Sequence, residues 1–219
     1  ENPRIFCSVL FIAKRYVQLM TIMKEISISL FILLLASVTA YSQKIQSGVY
    51  DNALLIAVNS SSNQLTGYYE NYTGWDEESN SPRFSCVFYI EGEITDSKFS
   101  ITTYYPNYSE TILGYIEINS DSSINIKLAE EHGGCWNVEH FANEPNKFSI
   151  EENKDWIAIK FVKSDKAYFY NEKSEDKKRK AYIIKNDFVL IKKIEGDWAY
   201  GVYEGKTITK GWIKLSDLN

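Results

Sequence analysis

From residue 45 onward, apolar and polar positions alternate mostly with period two. That spacing puts every second side chain on one face of a strand. Leu54 to Val58 is a short apolar run, Ser60-Ser61-Ser62-Asn63 is a turn cluster, and Leu65 to Tyr69 resumes the strand pattern. Together they predict a hairpin. Further strands are expected at Phe84–Ile94, Phe99–Tyr105, Ile112–Ile118, Ile124–Leu128, Phe148–Ile150 and Trp156–Val162. Thr95-Asp96-Ser97 and Asn119-Ser120-Asp121-Ser122 supply turns between them. No segment has a sustained 3.6-residue repeat. The pattern predicts an all-β chain with an antiparallel barrel or sandwich over 41–155. Ala129 to Asn146 breaks the alternation and reads as a long loop with one helical turn at most.

Composition agrees with this pattern. Sixteen Tyr, eleven Phe and five Trp in 219 residues suit half-buried pleated surfaces. Residues 23–40 have another character. Met23-Lys24 opens a basic segment, Ile26 to Leu35 is apolar, and Ala36 to Ala40 offers small residues for cleavage before Tyr41. This is the layout of a secretory signal peptide, and its apolar part is short for a transmembrane span. Residues 1–22, which begin at Glu1, read as an upstream or non-native segment and are set aside from fold reasoning. The expected product is exported, periplasmic or extracellular in a bacterium, with no stable membrane insertion after cleavage. Residues 1–40 hold four of the 24 basic and two of the 29 acidic side chains, so the remainder carries a net charge of −7. Such a surface is poorly suited to phosphate backbones, which argues against nucleic-acid partners.

Cys86 and Cys135 are the two cysteines of the expected mature chain. In an oxidising compartment they most simply form one disulfide. It would pin the irregular Ala129–Asn146 stretch.

The C-terminal residues resemble a bacterial SH3-like domain. Ala167-Tyr168-Phe169-Tyr170 matches the opening alanine-aromatic segment, and the charged run 172–180 stands in the place of the first long loop. Tyr182 to Ile191 is similar to a strand, a turn at Asn186-Asp187 and a second strand. Gly196-Asp197-Trp198 resembles the hairpin turn with its following Trp, and Lys210-Gly211-Trp212-Ile213 the closing strand. The resemblance covers about residues 158–219, within an expected SH3-like domain at 156–219, and implies a small five-stranded barrel used for binding. Its candidate groove is Tyr168, Tyr170, Trp198 and Trp212. Lys214 and Leu218 stand where a Pro and an aromatic would complete a proline-rich binding groove, so the resemblance implies docking on a cell-wall component or an envelope protein instead. The first hairpin, from Gly48 to Tyr69, is similar to the opening of small ligand-binding β-barrels.

The search for chemistry ends without a catalytic constellation. No nucleophile elbow, phosphate-cradling glycine loop or Cys-x-x-Cys pair is present. His132 and His140 lie eight apart, which is not the spacing that sets two metal ligands on one helical face. Neighbouring carboxylates such as Glu151-Glu152 would point to opposite faces of a strand. No cofactor or metal is expected. Tyr69, Tyr72 and Trp75, beside Asp76 to Glu78, form a second candidate surface, because aromatic faces next to carboxylates hold sugars or cations. The expected function is a non-catalytic binding protein of the bacterial envelope. A carrier or enzyme in the first barrel, targeted by the SH3-like module, is the first alternative. An inhibitor of a secreted hydrolase, acting through a loop at 70–80, is the second.

Overall fold

The computed structural model describes Met20, Met23, Lys24, residues 44–106 and residues 108–219. The segments read as upstream sequence and signal peptide therefore lie outside the described residues, apart from those three. Among the described residues, no helix is long and apolar enough to cross a membrane.

The protein is all-β. The first sheet contains β1 (Gly48–Tyr50), β2 (Leu54–Asn59), β3 (Gln64–Asp76), β4 (Ser81–Glu93), β5 (Lys98–Tyr104), β6 (Thr111–Ile118), β7 (Ile124–Leu128), β8 (Asn146–Phe148) and β9 (Ile150–Asn153). Strands β1 to β8 form an antiparallel meander, and β9 pairs with β1 at the far edge. Strands β8 and β9 are two halves of one extended segment, broken at Ser149. The break is stitched to the first turn: Asp51 N–H donates to the Ser149 carbonyl at 3.1 Å, and Ser149 N–H donates to Asp51 Oδ2 at 3.0 Å. A single bent segment thus joins both edges and nearly closes the barrel, leaving few edge groups unpaired. Closure needs Gly48, because a Cβ there would sit 2.2 Å from the Glu152 carbonyl oxygen.

Alternation explains the interior. Leu54, Ile56, Leu65, Tyr69, Phe88, Ile90, Ile101, Ile116, Ile124, Ile126 and Phe148 face inward and are buried together. Phe141, from the irregular stretch, adds an edge-on ring to Tyr69 and Phe88 at 4.9 and 5.1 Å. The barrel is therefore filled by side chains.

That irregular stretch contains one 3₁₀ turn, Cys135–Asn137, and is bonded to β4 by the Cys86–Cys135 disulfide. Gly134 takes a positive φ of 88°, and a Cβ on it would meet the Ser85 carbonyl oxygen at 2.3 Å. The glycine is what lets the disulfide-bearing turn lie flat on β4.

The second sheet contains β10 (Ala158–Phe161), β11 (Lys166–Tyr170), β12 (Lys178–Ile184), β13 (Phe188–Glu195), β14 (Trp198–Glu204) and β15 (Ile208–Lys214). Its order is β10-β13-β14-β15-β11-β12, antiparallel throughout. Most of the charged run at 172–180 is the connection from β11 to β12, with a 3₁₀ turn at Glu175–Lys177. The β13–β14 hairpin turns on two residues, with Gly196 supplying the positive φ (58°). Ala167, Phe169, Ile183, Val189, Ile191, Ala199, Ile213 and Leu218 form its core.

Residues Gln43–Asn219 make one compact unit. Tyr68, Tyr89 and Ala57, on the outer face of the barrel, pack against Ile159, Leu190 and Val202 of the second sheet, with Trp156 between them. Polar groups at this seam are matched. Ile159 N–H donates to Thr66 Oγ1 at 2.7 Å, Ser47 Oγ donates to the Trp156 carbonyl at 2.7 Å, and Tyr89 OH donates to the Asn186 carbonyl at 3.3 Å. A buried aromatic seam with paired polar groups resembles an interior and not a hinged contact between domains.

Candidate functional site

The face of the second sheet that meets the barrel continues beyond the seam. Register places Leu190 opposite Val202, both buried against the barrel. Two and four residues back along β14, Tyr200 and Trp198 lie on the same face, opposite Trp212 and Lys214 of β15. Tyr170 lies opposite Trp212. The rings meet edge to face: Tyr170 with Trp198 at 4.8 Å and Tyr200 with Trp212 at 5.4 Å. Trp198, Tyr200 and Trp212 are half-buried, so each keeps part of its ring open to solvent, while Tyr170 is buried beneath them.

Ion-paired side chains rim this patch. Lys214 pairs with Glu175, Lys173 and Lys193 pair with Glu195, and Lys173 Nζ lies 5.2 Å from the Trp212 ring. Their partners hold the Glu175 and Glu195 carboxyls below the usual carboxylate range and the Lys214 ammonium above its own. The Tyr170 hydroxyl is pushed up, mainly by burial. Three lysines thus share two carboxylates around the patch, and each carboxylate is paired. Aromatic faces within a rim of paired charges suit a ring-bearing ligand, such as a saccharide, or an apolar side chain of a protein.

Of the four groove residues expected from the sequence, Tyr170, Trp198 and Trp212 come together and Tyr168 does not. Ala167 and Phe169 point into the core, so both tyrosines lie on the other face of β11, but Tyr170 sits opposite Trp212 of β15 whereas Tyr168 sits opposite Tyr182 of β12. Tyr168 instead meets Tyr182 at 5.6 Å, with Lys178 Nζ 3.5 Å above its ring. Tyr200 is the member that sequence reasoning missed. Its signal was present, since it stands two residues beyond Trp198 on one strand.

The second expected surface is rearranged. Tyr69 is 1% exposed, inside the barrel, stacked on Phe88 at 5.1 Å, and so cannot share a surface with Tyr72 and Trp75. Strand β3 runs past the barrel rim, and its hairpin with β4 projects as an arm. Trp75, at 63% exposure, and Phe84 stand open on that arm. Asp76 fixes the tip, accepting from Glu78 N–H, Ser79 N–H and the Arg83 guanidinium.

Beyond Tyr89 and Tyr104, strands β4 and β5 no longer pair. The gap opens a cleft of about 720 Å³ lined by Tyr105, Tyr108, Glu110, Glu130 and His132. Two of its polar groups, His132 and Glu131, serve the fold. His132 stacks on Phe88 at 4.8 Å and bonds Thr103 Oγ1 at 2.7 Å, and burial holds it down at about 4. Glu131 accepts from Phe141 N–H and Ala142 N–H. His140 instead meets Trp136, 5.6 Å away. Among the described residues, no group of three His, Cys, Asp or Glu side chains could hold a metal ion.

No family model, no curated protein and no solved structure matches the chain.

Proposed function

We propose that the protein is an exported, non-catalytic binding protein of the bacterial envelope, whose second sheet is an SH3-like module that docks on a cell-wall component or an envelope protein. The observation that carries this reading is the patch of Tyr170, Trp198, Tyr200 and Trp212 within a rim of paired charges. Half-buried rings held edge to face are rigid, so little side-chain freedom is lost when a ligand covers them. The disulfide is consistent with an oxidising destination. A filled barrel interior leaves little room for a carried ligand, which weighs against the carrier alternative. The test is co-sedimentation of the protein with purified cell wall and a pull-down from envelope extract. Retention that falls at least tenfold in Trp198→Ala supports the reading, and retention equal to that of an unrelated acidic protein rejects it.

The projecting β3–β4 arm favours one second reading, inhibition of a secreted hydrolase. Trp75 and Phe84 on a hairpin tied at its tip by Asp76 and Arg83 could fill an active-site cleft. Loss of inhibition in Trp75→Ala would separate it from the first.

A further inference from the structure

A groove of about 490 Å³ runs along the seam between the two sheets, away from the aromatic patch just described. Its walls are Ala53, Leu55, Tyr68, Tyr72 and Phe188, and Glu70 stands among them. Parity on β3 produces this arrangement. Tyr68, Glu70 and Tyr72 alternate with the inward-facing Tyr69, so all three point outward on one face, beside Leu55, which lies opposite Tyr68. Phe188 comes from the second sheet, with its ring 4.3 Å from that of Tyr68. Tyr68 OH donates to Glu70 Oε2 at 2.8 Å, and Tyr72 OH donates to the other oxygen, Oε1.

The carboxylate is thereby fixed from both sides. Every other feature of its surroundings lacks the complement. Glu175 and Glu195 of the second sheet have lysines, and Asp76 at the arm tip has Arg83. Among the described residues, no Lys, Arg or His forms an ion pair with Glu70. A half-buried, oriented carboxylate beside the exposed Tyr72 ring is complementary to an organic cation, because the ring face and the carboxylate attract the same charge. The apolar floor of Leu55 and Ala53 suits a short alkyl stem behind that cation.

We propose that this groove binds a protonated alkylamine, with the ammonium at Glu70 beside the exposed Tyr72 ring and the alkyl stem along Leu55 and Phe188. The amine can come from a lysine side chain of a polypeptide or from a free small amine, and the two sources share this chemistry. The site is separate from the patch on β14 and β15, so either can fail without the other.

The test is titration of the protein with n-butylammonium and, separately, with tetralysine, followed by NMR and calorimetry, with n-butanol as the uncharged control. Saturable binding of the amine, absent for butanol, is expected. Glu70→Gln keeps an acceptor for the tyrosine hydroxyls and should weaken binding by about tenfold or more. Tyr72→Phe keeps the ring and should weaken it less. In the unaltered protein, the ring resonances of Tyr72 and Phe188 should shift on titration, a readout that does not depend on any variant folding. Binding of both ligands identifies the free amine as sufficient, and binding of tetralysine alone identifies a polypeptide lysine. No saturable binding of either, equal affinity in a folded Glu70→Gln protein, or shifts confined to other residues would overturn the proposal.

Discussion

Replacing both Cys86 and Cys135 by alanine should lower the melting temperature of the protein by roughly 10 °C. The disulfide joins residues 49 apart in sequence. For a loop of that length, the chain-entropy model assigns about 4 kcal/mol, most of it through restriction of the unfolded chain. A unit the size of Gln43–Asn219 loses roughly 2–4 °C for each 1 kcal/mol. The folded loop has other ties. Glu131 accepts two backbone N–H groups, His132 bonds Thr103, and Thr73 Oγ1 donates to the Asn137 carbonyl at 2.7 Å. The variant should therefore keep its native spectrum at 25 °C and differ mainly in its midpoint. Circular dichroism melts of both proteins, with amide exchange over 129–145, make the measurement. Both sulfurs are fully buried, so a reductant should act on the native protein only as it unfolds. A shift under about 3 °C, with the loop still protected, would refute the view that closing this loop stabilises the fold.

Acid should destabilise the protein through His132. Burial depresses its folded pKa from 6.5 to about 4, against a smaller opposing pull from Glu131. Stability is therefore complete above about pH 6.5 and lost as pH falls toward 4, by about 2 kcal/mol between pH 7 and pH 4.5. Urea melts of His132→Gln should show that this part of the pH dependence has gone. Leu190→Ala, at the seam, should cost about 2–5 kcal/mol, and calorimetry should still show one transition for both sheets; two separated transitions would mean that the seam does not couple them. Gly48→Ala should prevent β1 from pairing with β9 and cost about 1–3 kcal/mol or more, read as lost amide protection in both strands.

The positions of most barrel strands were legible because those strands bury one face only. Phe99, Ile101 and Thr103 alternate with exposed or half-exposed partners, and β5 lies within one residue of its expected place. The error at Tyr69 has a physical source. The strand β3 is covered on both faces, by the barrel core under Leu65 and Tyr69 and by the second sheet over Tyr68. Two adjacent tyrosines in such a strand give no sign of which one points inward. The split of Tyr168 from Tyr170 is one of neighbours, because Tyr168 sits opposite Tyr182 of β12 and Tyr170 opposite Trp212 of β15, and pairing across a sheet leaves no mark in the sequence. The disulfide was legible from cysteine number and the expected compartment, whereas the seam through Trp156, Ile159 and Leu190 was not, because strands that pack on another sheet look the same as strands that pack on their own core.

The most direct measurement is a binding isotherm on purified cell walls and on immobilised envelope extract, comparing the protein with a Trp198→Ala, Trp212→Ala double variant of unchanged melting temperature. Saturable binding that the double variant loses by at least tenfold is the expected result. Equal binding by both proteins, or none by either, would contradict a docking role for the aromatic face of the second sheet.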